Sequence, residues 1–104
     1  MKTTTLTDNH ANATAFLEKL TAEYTNYKND NIIVDLSVQV GLELTGVLGF
    51  LDLSDKHRKA KKSFVLVVKD FDIDDAPEEL IIVPTVQEAH DVIEMEEIER
   101  DLGF

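Results

Sequence analysis

Asn31-Ile-Ile-Val-Asp-Leu-Ser-Val-Gln-Val-Gly-Leu-Glu-Leu-Thr-Gly-Val-Leu-Gly-Phe50 is the stretch that decides how the chain folds. Ile32, Ile33 and Val34 form a β-branched run, the pattern of a strand buried on both faces. The strand is predicted over Ile32–Leu36, closed by Asp35-Leu36-Ser37, with Gly41 allowing a tight turn. Leu44, Val47, Leu48 and Leu51 then recur at i, i+3, i+4 and i+7, one apolar stripe of a helix predicted over Leu42–Lys59. Gly46 and Gly49 lower its propensity by roughly 1 kcal/mol each, and close packing is the expected reason for keeping them. A central strand passing through a polar turn into a helix is an α/β unit. Such folds present functional residues just outside the carboxyl end of a strand.

On the amino-terminal side, Ala13, Phe16, Leu17, Leu20, Tyr24 and Tyr27 make a second helical stripe, with Glu18, Lys19 and Glu23 facing away. Asn12 or Thr14 can cap its start, and Asn29-Asp30-Asn31 stops it. The polar, Thr-rich residues Met1–Asn9 read equally as an edge strand or a tail. On the carboxyl side, Ser63–Val68 is a second two-sided strand, and Lys69–Glu79 is an acidic connection in which Asp75-Ala76-Pro77-Glu78 opens one helical turn. Leu80–Val83 is a third strand closed by Pro84. Thr85-Val86-Gln87-Glu88 is a capping box that starts a last helix over Val86–Leu102, whose apolar residues are Ala89, Val92, Ile93, Met95, Ile98 and Leu102. Strands alternating with helices imply crossover connections. The fold class expected is α/β, a mostly parallel sheet of about four strands with helices packed on it, in one domain spanning residues 1–104.

Composition narrows the function. Hydrophobic residues are 43% and charged residues 30% of the 104, the balance of a globular chain. No apolar run is long enough to cross a membrane, and no apolar segment of a secretory signal follows Lys2. Cysteine is absent, which excludes thiol catalysis and disulfides and makes a cytoplasmic location the default. The net charge of −11 opposes nucleic-acid binding, which needs clustered cations.

Each candidate for chemistry has a plainer reading beside it. Lys56-His57-Arg58-Lys59-Ala60-Lys61-Lys62 is either a patch for an anion or acidic partner, or a helix end whose cations complement the macrodipole, and the second is favoured. Asp70, Asp72, Asp74 and Asp75 lack the glycine of a calcium loop at its sixth position and read as a solvated turn. Glu94, Glu96, Glu97, Glu99 and Asp101 are either a solvated face or an acidic docking face for a basic partner. His10, His57 and His90 have no zinc-ligand spacing, and Ser37, Ser54 and Ser63 stand in no nucleophile elbow. No phosphate-binding glycine loop or dinucleotide fingerprint occurs. The chain is therefore not expected to be an enzyme, with no catalytic residue, metal or cofactor assigned.

Asn31-Ile-Ile-Val-Asp-Leu-Ser37, a helix entered near Thr45-Gly46, and Phe64-Val-Leu-Val-Val68 after the basic stretch resemble the STAS domain, the family of anti-sigma factor antagonists. Ile82-Val-Pro-Thr-Val-Gln-Glu-Ala-His90 is similar to that family's last strand and helix. The resemblance covers about Phe16–Phe104 and lies in element order more than in a motif. It implies a STAS-like fold and a protein partner of anti-sigma or other regulatory type, docking on the Ser37–Glu43 turn and the helix after it. By spacing, Glu43-Leu44-Thr45-Gly46 stands where the family has D-S-S-G, so Leu44 takes the first hydroxyl position and only Thr45 remains for a phosphate. A kinase-controlled switch is not expected. Two strands usually precede the family's first helix and here at most one fits, leaving an open sheet edge. The alternative is a homo-oligomer, such as a homodimer, or an accessory, structural protein that uses this edge or the acidic last helix. The ending Ile98-Glu-Arg-Asp-Leu-Gly-Phe104 is also similar to that of short chains bearing the name ribonuclease Z, an enzyme class with an H-x-H-x-D-H zinc motif. This sequence has no such motif, so the name implies no nuclease here.

Overall fold

The computed structural model describes residues 2–8, 12–38, 44–69, 71, 74 and 76–103. Its four strands are β1 (Thr3–Thr7), β2 (Asn31–Asp35), β3 (Phe64–Val67) and β4 (Ile81–Val83), in the spatial order β1-β2-β3-β4, and every neighbouring pair is parallel. The helices are α1 (Ala13–Glu23), α2 (Leu44–Leu48), α3 (Leu51–Lys59) and α4 (Val86–Asp101), and one 3₁₀ turn (Tyr24–Asn26) extends α1. The fold is α/β, as the alternation of patterns implies. Residues 3–7, left open between strand and tail, are a strand: they pair with β2 from Thr3 opposite Asn31 to Thr7 opposite Asp35.

Both faces of the two central strands are buried. Ile32, Val34 and Leu36, with Phe64, Leu66 and Val68, face a core made by Ala13, Phe16 and Leu20 of α1, Val47 of α2, and Phe50 and Leu53. The alternate residues Ile33, Val65 and Val67 face Ala89 and Ile93 of α4. The link from β3 to β4 lies on the first face too, because Leu80, with Phe71 and Ala76 beside it, joins that core. The described parts of all three crossovers therefore lie on one face, and among the described residues α4 alone covers the other.

Local signals account for the helix ends. Asn12 caps α1, its Oδ1 accepting from the amide of Ala15 at 2.8 Å. The Thr85 hydroxyl caps α4 by accepting from the amide of Glu88 at 3.1 Å, as the capping box predicts. The helix expected over Leu42–Lys59 is two. It breaks at Gly49-Phe50, where Phe50 turns fully into the core and Leu48, assigned to the buried stripe, stays 36% exposed. Gly49 has a packing reason, because a Cβ there would stand 3.1 Å from Leu17 Cδ2 of α1.

The end of α3 is a Schellman motif: the Lys61 amide donates to the Arg58 carbonyl at 2.9 Å and the Lys62 amide to the His57 carbonyl at 3.3 Å. This places Lys61 at φ 63°, the left-handed region that glycine occupies without a Cβ penalty. Lys61→Gly is expected to stabilise the protein by about 1 kcal/mol, the left-handed penalty less the extra unfolded-state entropy of glycine. A urea-denaturation midpoint that falls instead would show that the Lys61 side chain contributes more than its backbone costs.

Candidate functional site

The turn after β2 begins with a local hydrogen bond, the Ser37 amide donating to Asp35 Oδ1 at 3.0 Å. The same carboxyl end is tied to β1, since the amide of the buried Asp8 donates to the Asp35 carbonyl at 3.0 Å. Ser37 is half-buried, and Val38 after it is 39% exposed. Of the residues matched to the phosphorylatable turn, Leu44, Thr45 and Gly46 open α2, while Glu43 lies outside the described residues, as do Gly41, Asp70, Asp72, Asp75 and His10. Thr45 is exposed and Leu44 and Gly46 are half-buried. Three residues on, Leu48 shares the Thr45 side of the helix, so α2 offers a hydroxyl and a leucine together.

Part of the basic stretch is built into the structure, while Lys56, Lys59, Ala60 and Lys61 are exposed. His57 is fully buried on α3. Its Nε2 lies 2.7 Å from the Asp30 backbone carbonyl, which can only accept, so Nε2 carries the proton. Nδ1 is then an acceptor for the Tyr24 hydroxyl, 2.6 Å away. The ring also meets Tyr24 and Phe64 edge-on. Burial pushes the His57 pKa below its usual value, the nearby Lys62 and Arg58 charges push the same way, and the Asp30 carbonyl bond opposes them. Burial likewise raises the Tyr24 hydroxyl pKa. A neutral, doubly bonded imidazole closed off from solvent orders the join between α1, α3 and β2, and has no opening through which to act on a substrate. Lys56 lies over the Tyr24 ring, 4.9 Å from its centroid.

A polar cluster at the amino ends of β2 and β3 takes Arg58 and, from α4, Arg100. Asn31, fully buried, accepts at Oδ1 from the Ser63 amide at 2.9 Å and donates from Nδ2 to Glu97 of α4. The Ser63 hydroxyl donates to Glu96 at 2.6 Å and accepts from Arg100 at 3.2 Å. Arg58 donates to Glu96 at 3.1 Å and to the Phe64 carbonyl at 3.0 Å. The cluster joins α4 to the sheet, and its cations and carboxylates largely satisfy one another. Among the described residues, no group of three His, Asp or Glu side chains is placed to hold a metal ion.

Residues that the sequence did not single out complete the picture. Tyr24 was counted only as part of the helical stripe, and nothing local pairs it with His57, 33 residues on. On α4, Met95, Ile98 and Leu102 are 63%, 54% and 66% exposed, although their apolar character matches the core. A count at 100° per residue separates them from Ala89 and Ile93, so this signal was available in the sequence. A groove lined by Leu6, Phe16, Leu20 and Tyr27 runs beside β1, which is an edge strand. No family model matches the chain, and no curated protein matches it. No helix among the described residues is long and apolar enough to cross a membrane.

Stability should follow the His57 proton. The unfolded imidazole titrates near its ordinary value of about 6.5 and the folded one lower. Between those values the unfolded state holds the extra proton, so this group's contribution is complete above about pH 6.5 and is lost as pH falls through the window. The stability difference between the wild type and His57→Gln is expected to be constant above pH 7 and to shrink towards pH 5. Parallel urea titrations at each pH read it directly, and a difference independent of pH would mean that folding leaves the His57 titration where it is in the unfolded chain.

Proposed function

We propose that this chain is a non-catalytic protein-interaction module, resembling an anti-sigma factor antagonist of the STAS type, that works in cytoplasmic regulation. The observation that carries this reading is the surface position of Thr45 and Leu48 on the helix that follows β2. The resemblance implies docking on the Ser37–Glu43 turn, Thr45 and the helix after it, and the described part of that surface offers the Thr45 hydroxyl beside the exposed Val38 and Leu48. That combination suits recognition of a protein surface. The partner on this reading is a regulatory protein of the anti-sigma kind. Docking needs no phosphate, because Leu44 stands in place of the first hydroxyl and Thr45 contributes as a neutral contact.

A second reading rests on the edge position of β1. Among the described residues its outer side has no strand neighbour in the sheet, and an exposed edge can pair with a second copy of the chain. The oligomer would then be the functional unit.

Affinity capture with the native chain and Thr45→Glu as parallel baits separates the two. A carboxylate at position 45 alters a turn-centred contact and leaves the β1 edge untouched. The native bait is expected to retain a regulatory protein that the variant loses by roughly tenfold in affinity, about 1.4 kcal/mol. Equal retention by both baits would overturn the turn-centred reading. Recovery of only the chain itself by both would favour the oligomer.

A further inference from the structure

We propose that the outward face of α4 is a docking surface for a cationic amphipathic helix of a partner protein. The helix has two apolar sides. Ala89 and Ile93 face the sheet, and near the opposite side Met95, Ile98 and Leu102 lie open to solvent at i, i+3 and i+7. The three fall within an arc of about 60° and extend roughly 10 Å along the axis, two turns of helix. Three large apolar side chains clustered on one solvent face are the pattern of an interaction stripe rather than of scattered surface residues.

The border of the stripe says what covers it. Asp91, Glu94, Glu99 and Asp101 are exposed beside it, and α4 itself exposes no lysine or arginine, although Lys61, outside the helix, shares one cleft with Glu99 and another with Asp101. Arg100, the helix's one strong cation, is turned towards Ser63 and Asn31. Two copies of this face would set carboxylate against carboxylate. Anionic lipid surfaces are repelled by the same border. A helix with an apolar stripe flanked by lysine or arginine meets both requirements, apolar contact along two turns and opposite charge on each side.

The surface lies on the other side of the sheet from α2 and towards its amino end, so its fate is independent of the turn reading. The test uses two synthetic helices of about 18 residues, five turns, with one shared leucine stripe, flanked by lysine in one and glutamate in the other. Fluorescence anisotropy compares the wild-type chain with the triple variant Met95→Ser, Ile98→Ser, Leu102→Ser, whose net charge is unchanged. Because all three side chains are exposed, the variant is expected to keep its circular-dichroism spectrum and melting midpoint. The lysine helix is expected to bind the wild type roughly tenfold or more tightly than the variant and to weaken as salt is raised, and the glutamate helix not to bind. Equal binding of the lysine helix to both proteins would overturn the proposal, since net charge alone would then explain it. A wild-type dimer in sedimentation equilibrium that the substitutions dissociate would also overturn it, assigning the face to a second copy.

Discussion

An all-parallel sheet needs both faces covered, because its strands are apolar on each side. Here the described parts of the three crossovers from β1 to β4 lie on one face, and among the described residues the other is left to a single helix. The placement of α4 is therefore the constraint on which the rest depends. Removing it would expose Ile33, Val65 and Val67 together. Its contact with the sheet is made by few apolar residues, Ala89 and Ile93 with Val86 and Val92 beside them. The remainder comes from the polar cluster of Asn31, Ser63, Glu96, Glu97 and Arg100. A small residue such as Ala89 lets the helix approach closely at its start, and hydrogen bonds fix its far end. Apolar burial supplies the attraction, while the buried Asn31 amide, costly to leave unpaired, fixes the register.

That arrangement explains which parts of the fold were legible. The β-branched runs at Ile32–Val34 and Val65–Val68 announce two-sided strands without help from tertiary structure, and the Asn12 and Thr85 caps act within one helical turn. The break between α2 and α3 was not legible, because the apolar period continues through Gly49. At the break Phe50 is fully buried and Leu48 is left at the surface, an outcome set by tertiary packing rather than by the local period. The strand at Thr3–Thr7 was ambiguous for a similar reason. Four threonines and a leucine give little alternation, and their strand geometry comes from pairing with Asn31–Asp35 rather than from burial of their own.

The candidate site was legible only in position. Spacing from Asp35 brings Thr45 to the start of a helix, and α2 does begin there, but exposure of Thr45 and Leu48 depends on how α2 tilts against α1. The basic stretch shows the opposite failure. Its composition resembles a patch, yet His57 is the most enclosed titratable group among the described residues, and Arg58 reaches the Phe64 carbonyl and Glu96. Local sequence cannot separate a cation that faces solvent from one that closes a core, because the partners Tyr24, Asp30 and Glu96 are remote in the chain.

The internal use of cations shapes the surface field. Arg58 and Arg100 are turned into the polar cluster, and Lys56 lies along the Tyr24 ring. Cations are scarce in a chain of net charge −11, and these are placed where they hold helices to the sheet. On α4 only Glu96 and Glu97 are drawn into the polar cluster, and Asp91, Glu94, Glu99 and Asp101 are exposed. Self-repulsion among them favours staying apart from further copies of the chain and raises the encounter rate with positively charged surfaces. An acidic field with apolar side chains inside it is thus a consequence of how the cations are used. The same distribution that keeps the amino ends of β2 and β3 closed biases the choice of partner on the opposite side of α4.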